Sequence, residues 1–216
     1  MRRRPVVIVF ARAPQLGAVK TRLARDIGCL QAWRFHRQAT AATVRRLARD
    51  GRWRLVLALT PDRLGRRARV VPIAVPRTRQ GPGDLGQRMA RALRRFQPAS
   101  VLLVGSDVPD LGAEAVGRAF RALAAADAVF GPAEDGGYWL VGTRGRRRPE
   151  RWFRQVRWSS RHALDDTLGN LPFGMRVAMT AQLWDVDTGA DFARLTGTDR
   201  APLTRPPAPR APAASA

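Results

Sequence analysis

Two acidic segments hold the residues of this sequence best suited to chemistry. VLLVGSDVPDL (101–111) is an apolar run that ends in Gly105, Ser106 and Asp107, with Asp110 three residues on. LWDVDTGADF (183–192) carries Asp185 and Asp187 in alternation, so on an extended chain both carboxylates share a face. Carboxylates delivered in this way suit a hard divalent cation, Mg²⁺ or Mn²⁺, held jointly with diphosphate oxygens. Ribose hydroxyls are a second partner for Asp107. Each segment also has a plainer reading. Asp110 fits as the cap of the helix that follows. The second segment fits as a helix start, with Thr188 and Asp191 at capping-box positions.

A basic turn supplies the opposite charge. FARAPQLGAVKTRLARDIG (10–28) holds Lys20, the one lysine in a pool of 39 lysines and arginines. Gly17 lets the backbone approach a phosphate. Lys20 and Arg22 add positive charge, Thr21 a hydroxyl, and the following helix start adds free N–H groups. The spacings of a P-loop and of a dinucleotide-binding glycine loop are both absent. A solvated basic loop is the alternative. In GPAEDGGYWLVG (131–142), Glu134 and Asp135 lie between apolar segments. Gly136 and Gly137 leave room for a sugar or acceptor, with Tyr138 and Trp139 as stacking or core residues. A tight polar turn explains the same residues. Asp84 in GPGDLGQRM reads as a helix N-cap and a candidate ligand contact. His36 and His162 read as structural, and Cys29 as a packing residue at a helix start.

Such residues need strands that end beside one another. Continuous or alternating apolar runs predict strands at 5–11, 53–60, 69–75, 100–107, 127–133, 136–143 and 175–180. Pro72 places the third of these near a sheet edge. Amphipathic patterns predict helices at 29–50, 84–96, 112–126, 160–169 and 189–196. Strands alternating with helices give an α/β protein, a mostly parallel sheet with helices on both faces. Ligands of such sheets bind at the carboxyl ends of the strands, where the acidic segments and the basic turn fall. From Asp199 the chain reads DRAPLTRPPAPRAPAASA, a composition that cannot pack and is expected to be disordered. The expectation is one domain over 1–198 with a tail over 199–216.

Bulk composition narrows the class. With 216 residues, of which 45% are hydrophobic, the chain can bury a sizeable core. No apolar run reaches the roughly 20 residues of a membrane span. The opening MRRRPVVIVFARAP has a six-residue apolar run and then Arg12, with no small-residue cleavage site, so it reads as a first strand rather than a leader. A cytoplasmic location is expected. A single cysteine excludes an internal disulfide. The net charge of +22 raises a polyanion partner, nucleic acid or an anionic membrane surface. Arginine spread over the whole chain, with no nucleic-acid-binding signature, instead fits a GC-rich coding bias. Nucleic-acid binding stays a remote alternative.

Taken in order, FARAPQLGAVKTRL, GDLGQRM, GSDVPDL, GPAEDGGYWLVG, VRWSSRHALDDTL and WDVDT resemble the motifs of a family of small bacterial proteins, domain of unknown function 2064 (DUF2064). The resemblance covers about residues 5–196. Arg12 stands where lysine is common in that family, Trp139 where tyrosine or phenylalanine is, and SDVPD replaces the D-x-D of many glycosyltransferases. The resemblance implies a Rossmann-like GT-A fold of the nucleotide-diphospho-sugar transferase superfamily, using Mg²⁺ or Mn²⁺. It implies that Ala11, Gly17, Lys20, Arg22, Asp84 and Ser106 bind the nucleotide and its phosphates. Asp107 and Asp187 would ligate the metal, and Glu134, Asp135, Gly136 and Gly137 would face the sugar or acceptor. Asp135 and Lys20 are the catalytic candidates. Transfer of a sugar from a nucleoside diphosphate sugar is the leading expectation. Nucleotidyl transfer from a nucleoside triphosphate to a phosphorylated small molecule uses the same residues.

Overall fold

The computed structural model describes residues 4–65 and 73–197. In chain order the elements are β1 (Val6–Arg12), α1 (Thr21–Ile27), α2 (Cys29–Ala48), β2 (Arg54–Thr60), α3 (Asp62–Gly65), β3 (Arg77–Arg79), α4 (Leu85–Arg95) and β4 (Val101–Val104). Then follow α5 (Ala113–Ala125), β5 (Ala128–Pro132), β6 (Tyr138–Thr143), a 3₁₀ turn (Pro149–Arg151), α6 (Ala163–Gly169), β7 (Val177–Met179) and α7 (Gly189–Thr196). The strands form one sheet of seven in the order β3-β2-β1-β4-β6-β5-β7. β1 pairs in parallel with β2 and β4, while β6 runs antiparallel to both of its neighbours. The sheet is therefore mixed but mostly parallel.

Alternation along each strand splits the core into two layers. Val7 and Val9 face one side with Leu57, Leu102 and residues of α2 and α5. Val6 and Ile8 face the other with Val56, Leu103, Phe130 and the α4 residues Met89 and Leu93. Both faces are covered, which is why β1, β2 and β4 read as unbroken apolar runs. A third, smaller cluster of Leu23, Ala32, Phe35 and Val186 ties α1 and α2 to the segment before α7. It sets the distance between the basic turn and the second acidic segment.

Several expectations shift. The helix starting at Cys29 is preceded by a separate one, α1, and Gly28 at φ 85° breaks the two apart. Of the strand expected at 69–75, residues 69–72 lie outside the described residues, and 73–75 are not strand. The edge strand is Arg77–Arg79, pairing Leu57 with Arg77. An edge strand is held by its backbone ladder, so a polar RTR can form it. Asp110 does not cap α5, whose N-cap is Gly112; its carboxylate instead accepts a hydrogen bond from Trp184 Nε1 at 3.0 Å. Cys29 is exposed rather than packed. The tail over 199–216 lies outside the described residues. No described helix is long and apolar enough to cross a membrane.

Candidate active site

A cleft of about 650 Å³ opens beyond the carboxyl ends of β1 and β4, with Ala11, Lys20, Ser106, Asp107, Trp158 and Asp185 in its lining. Local sequence explains how its acids arrive. After β4, the Gly105 N–H bonds the Trp139 carbonyl at 3.0 Å, and a Cβ on Gly105 would stand 3.3 Å from Asp107 Oδ1. The chain turns tightly there, buries Ser106, and leaves Asp107 half-buried at the cleft. On the second segment, Val186 is fully buried and its N–H reaches the Asp107 carbonyl at 3.3 Å. With Val186 facing inward, extended-chain alternation sends Asp185 and Asp187 out together. Asp191 Oδ2 accepts from the N–H groups of Asp187 and Thr188 at 3.0 and 2.8 Å, and Thr188 and Asp191 form a full capping box on α7.

Asp107, Asp185 and Asp187 thus converge, each offering an oxygen within 4.8 Å of the others. Lys20 enters this cluster. Its ammonium contacts the Asp107 carboxylate and lies 2.5 Å from Asp187 Oδ1, with its side chain only 9% exposed. Its backbone is left-handed, at φ 48° and ψ 50°, a conformation that disfavours a residue with a Cβ by roughly 1–2 kcal/mol. Arg22 Nη1 stands 3.8 Å from Asp187 Oδ2 at the exposed rim. Burial disfavours the Lys20 charge, but Asp107 and Asp187 more than offset it and hold the ammonium firmly protonated. Burial likewise disfavours charge on Asp107, yet Lys20 keeps its carboxyl below the usual range. Asp185 forms no ion pair among the described residues. Burial, then the charges of Asp107 and Asp187, push its pKa up to about 7.

The three carboxylates make an all-oxygen donor set on the scale of one cation. Hard oxygen ligands of this kind fit Mg²⁺ or Mn²⁺ and disfavour soft metals.

The other expected residues divide. Ala11, Ser106, Arg22, Asp135 and Gly137 line the cleft. Asp135 is exposed at the tip of the β5–β6 hairpin, and its Oδ1 accepts from the Gly137 N–H at 2.8 Å. The polar-turn reading and the cleft-facing reading of Asp135 therefore both hold geometrically. Gly136 serves packing: at φ 83°, a Cβ would come within 2.2 Å of the Arg161 carbonyl oxygen. Glu134 is outside the lining and pairs with Arg194 at 2.7 Å. Gly17 lies in an exposed turn with nothing within 4 Å of a Cβ, outside the lining. Asp84 caps α4 through Gln87 at 2.7 Å and opens on a separate groove beside Arg91, Arg94 and Arg95.

Sequence reasoning placed Asp185 beside Asp187 but left it out of the ligand set. It missed Gln80, which is fully buried and ties β1 to β2 through the carbonyls of Ala11 and Ala58 at 3.1 and 2.9 Å. Gln80 Oε1 in turn accepts from Arg88 Nη1 at 3.1 Å, aiming that guanidinium at the cleft. His36 is buried, its Nε2 2.9 Å from the Arg12 carbonyl, and burial lowers its pKa.

Residues 43–160 match the model of a family described as an uncharacterized protein conserved in bacteria (DUF2064). The chain belongs to this family. No curated protein matches it. Among solved structures, this DUF2064 member is similar to a protein of Desulfovibrio desulfuricans G20 provisionally named a nucleotide-diphospho-sugar transferase. That similarity is 28% identity, 94% of this chain, 90% of the other and a TM-score of 0.80. A nucleotidyl transferase from Methanothermobacter shares the fold at 16% identity and a TM-score of 0.61, over 91% and 97% of the two chains. Rv0371c of Mycobacterium tuberculosis H37Rv, in complex with manganese, does so at 18% identity and a TM-score of 0.53, over 90% and 99%. The DUF2064 chain thus has the nucleotide-diphospho-sugar transferase fold.

Proposed function

We propose that this DUF2064 member is a metal-dependent transferase that binds a nucleoside diphosphate sugar and passes the sugar to a small-molecule acceptor. The convergence of Asp107, Asp185 and Asp187 with Lys20 at the carboxyl edge of the sheet carries the reading. The manganese complex of Rv0371c, which has the same fold, supports the metal. Mg²⁺ or Mn²⁺ on the three aspartates would supply charge neutralisation for a leaving diphosphate.

The chain's own residues account for the rest. Lys20, Arg22 and Arg88 present cations to the cleft, which suits phosphate oxygens. Their worth rises in the transition state, when negative charge gathers on the departing diphosphate. Ala11 and Ser106 bring backbone to the same edge. Asp135 is the one carboxylate of the β5–β6 turn in the lining, which supports it as the base that takes the acceptor hydroxyl's proton as that oxygen bonds the anomeric carbon and the diphosphate leaves. Glu134 and Gly136 have no part in this scheme, and Asp84 serves α4.

The test is thermal stabilisation of the full chain by Mn²⁺ with a panel of nucleotide sugars and, separately, of nucleoside triphosphates. Product analysis follows for any binder. A shift with nucleotide sugars and a new glycoside are expected. Stabilisation by triphosphates alone, with pyrophosphate release, would replace this reading with nucleotidyl transfer. Stabilisation by nucleic acid alone would remove both.

A further inference from the structure

We infer that Lys20 is an internal cation that occupies the metal position until a metal–diphosphate complex displaces it, so that metal and nucleotide bind as one unit. This rests on the metal and nucleotide reading above. The Lys20 ammonium is seated on oxygens of Asp107 and Asp187, and these two residues are two of the three that could hold a metal. A divalent ion and the ammonium would draw on the same two carboxylates, both of which favour hard or charged partners. An ion held by all three aspartates, whose oxygens lie within 4.8 Å of one another, would stand beside the Lys20 ammonium, and two cations that close repel. Metal entry therefore favours the departure of Lys20.

Departure strands a charge unless something receives it. Diphosphate oxygens are that receiver, and without them the exchange loses its favourable half. Arg22 cannot fill the gap, being 58% exposed and 3.8 Å from Asp187. The residue type fits exchange as well. Every other member of the chain's pool of 39 lysines and arginines is arginine. A guanidinium would clamp a carboxylate with two donors, whereas an ammonium on a flexible four-carbon stem can let go and re-aim.

Two measurements on the full-length chain test this. In the first, Mn²⁺ binding is followed by the paramagnetic resonance of the free ion, for wild type and Lys20→Met, with and without UDP, GDP or CDP. Wild type should bind Mn²⁺ alone weakly and gain strongly when the diphosphate is added. Lys20→Met should bind Mn²⁺ alone about tenfold or more tighter, because the competing charge is gone. In the second, amine-reactive labelling of the single lysine is read by mass spectrometry on the unmutated chain. Lys20 should label slowly without metal, faster at high Mg²⁺, and slowly again when diphosphate joins the Mg²⁺. If wild type binds Mn²⁺–diphosphate while Lys20→Met gains nothing for Mn²⁺ alone, the exchange is wrong and the nucleotide reading stands. A Lys20 labelling rate indifferent to Mg²⁺ overturns the exchange in the same way. If no form binds Mn²⁺ under any of these conditions, the metal reading falls with it.

Discussion

Two carboxylate clusters in this molecule use the same chemistry to opposite ends. Arg157 gives Asp166 three donors: its N–H at 3.0 Å, Nε at 2.9 Å and Nη2 at 2.7 Å. One acid meets one base, and the Asp166 carboxyl is held well below its usual range, first by the Arg157 side chain. The guanidinium is 61% exposed, so solvent screens much of the attraction. In the cleft, Asp107 and Asp187 share the largely buried Lys20 side chain, and Asp185 forms no ion pair among the described residues. The balanced pair fastens the 157 loop to α6. The unbalanced cluster is short of positive charge, and the fold holds it that way with a buried valine, a capping box and a left-handed lysine. In a chain of net charge +22, a local deficit of cations is what distinguishes a place for a further cation from ordinary surface pairing.

Breaking the unbalanced cluster should have the largest consequence. Asp107→Ala removes the acid that both Lys20 and a metal would share. Mn²⁺-dependent stabilisation by nucleotide should fall on the order of 100-fold or more in affinity, beyond what is lost when only the supporting partner of a metal ligand is removed. Calorimetric titration with Mn²⁺ and the stabilising nucleotide checks it. An affinity close to wild type would reduce the cluster to a structural ion pair. Lys20→Arg comes next. The planar fork must enter a site where the lysine side chain is 9% exposed and would hold carboxylates bidentately. Nucleotide–Mn²⁺ affinity should drop about tenfold, and unchanged affinity would mean that any cation suffices there.

The sequence displays this contrast only in part. Alternation in WDVDT announced that Asp185 and Asp187 share a face, because strand geometry is local. That Asp107 meets them depends on Val186 joining the cluster of Leu23, Ala32 and Phe35, a long-range association with no local signature. The strand order and the antiparallel β6 were equally invisible, since a buried strand looks apolar in either direction. Glu134 and Asp135 are neighbours of the same type, yet one pairs with Arg194 and the other lines the cleft. Only the hairpin geometry separates them. Gln80 gave no warning at all: a glutamine just after a polar edge strand reads as surface until its carbonyl partners are known.

The burial and crowding of Asp185 also have a pH signature. The Asp185 pKa rises to about 7 in the fold, against about 3.9 in an unfolded chain. Between those values the folded state binds more protons, so stability contributed by neutral Asp185 is complete below about pH 4 and is lost as pH climbs to about 7. Metal-free wild type should therefore weaken across that window by urea unfolding, and Asp185→Asn should flatten the trend. Mn²⁺ competes with the same proton, so its affinity should climb through the window and level off above it. A pH-independent Mn²⁺ affinity would mean that Asp185 lies outside the ligand set.

The smallest effect should come from the balanced pair. Arg157→Gln removes two of the three bonds to Asp166 and leaves the backbone N–H bond at 3.0 Å in place. The loop stays tethered, and Trp158 and Ser159, which line the cleft just after it, keep their positions. Nucleotide–Mn²⁺ affinity should remain within about twofold of wild type, as expected of an exposed pair, with only a slight drop in melting temperature. A tenfold loss would show that Arg157 acts through Trp158 on the ligand. The division between a pair that fastens and a cluster that binds would then fail at its quieter end, and the cleft would extend to the surface of α6.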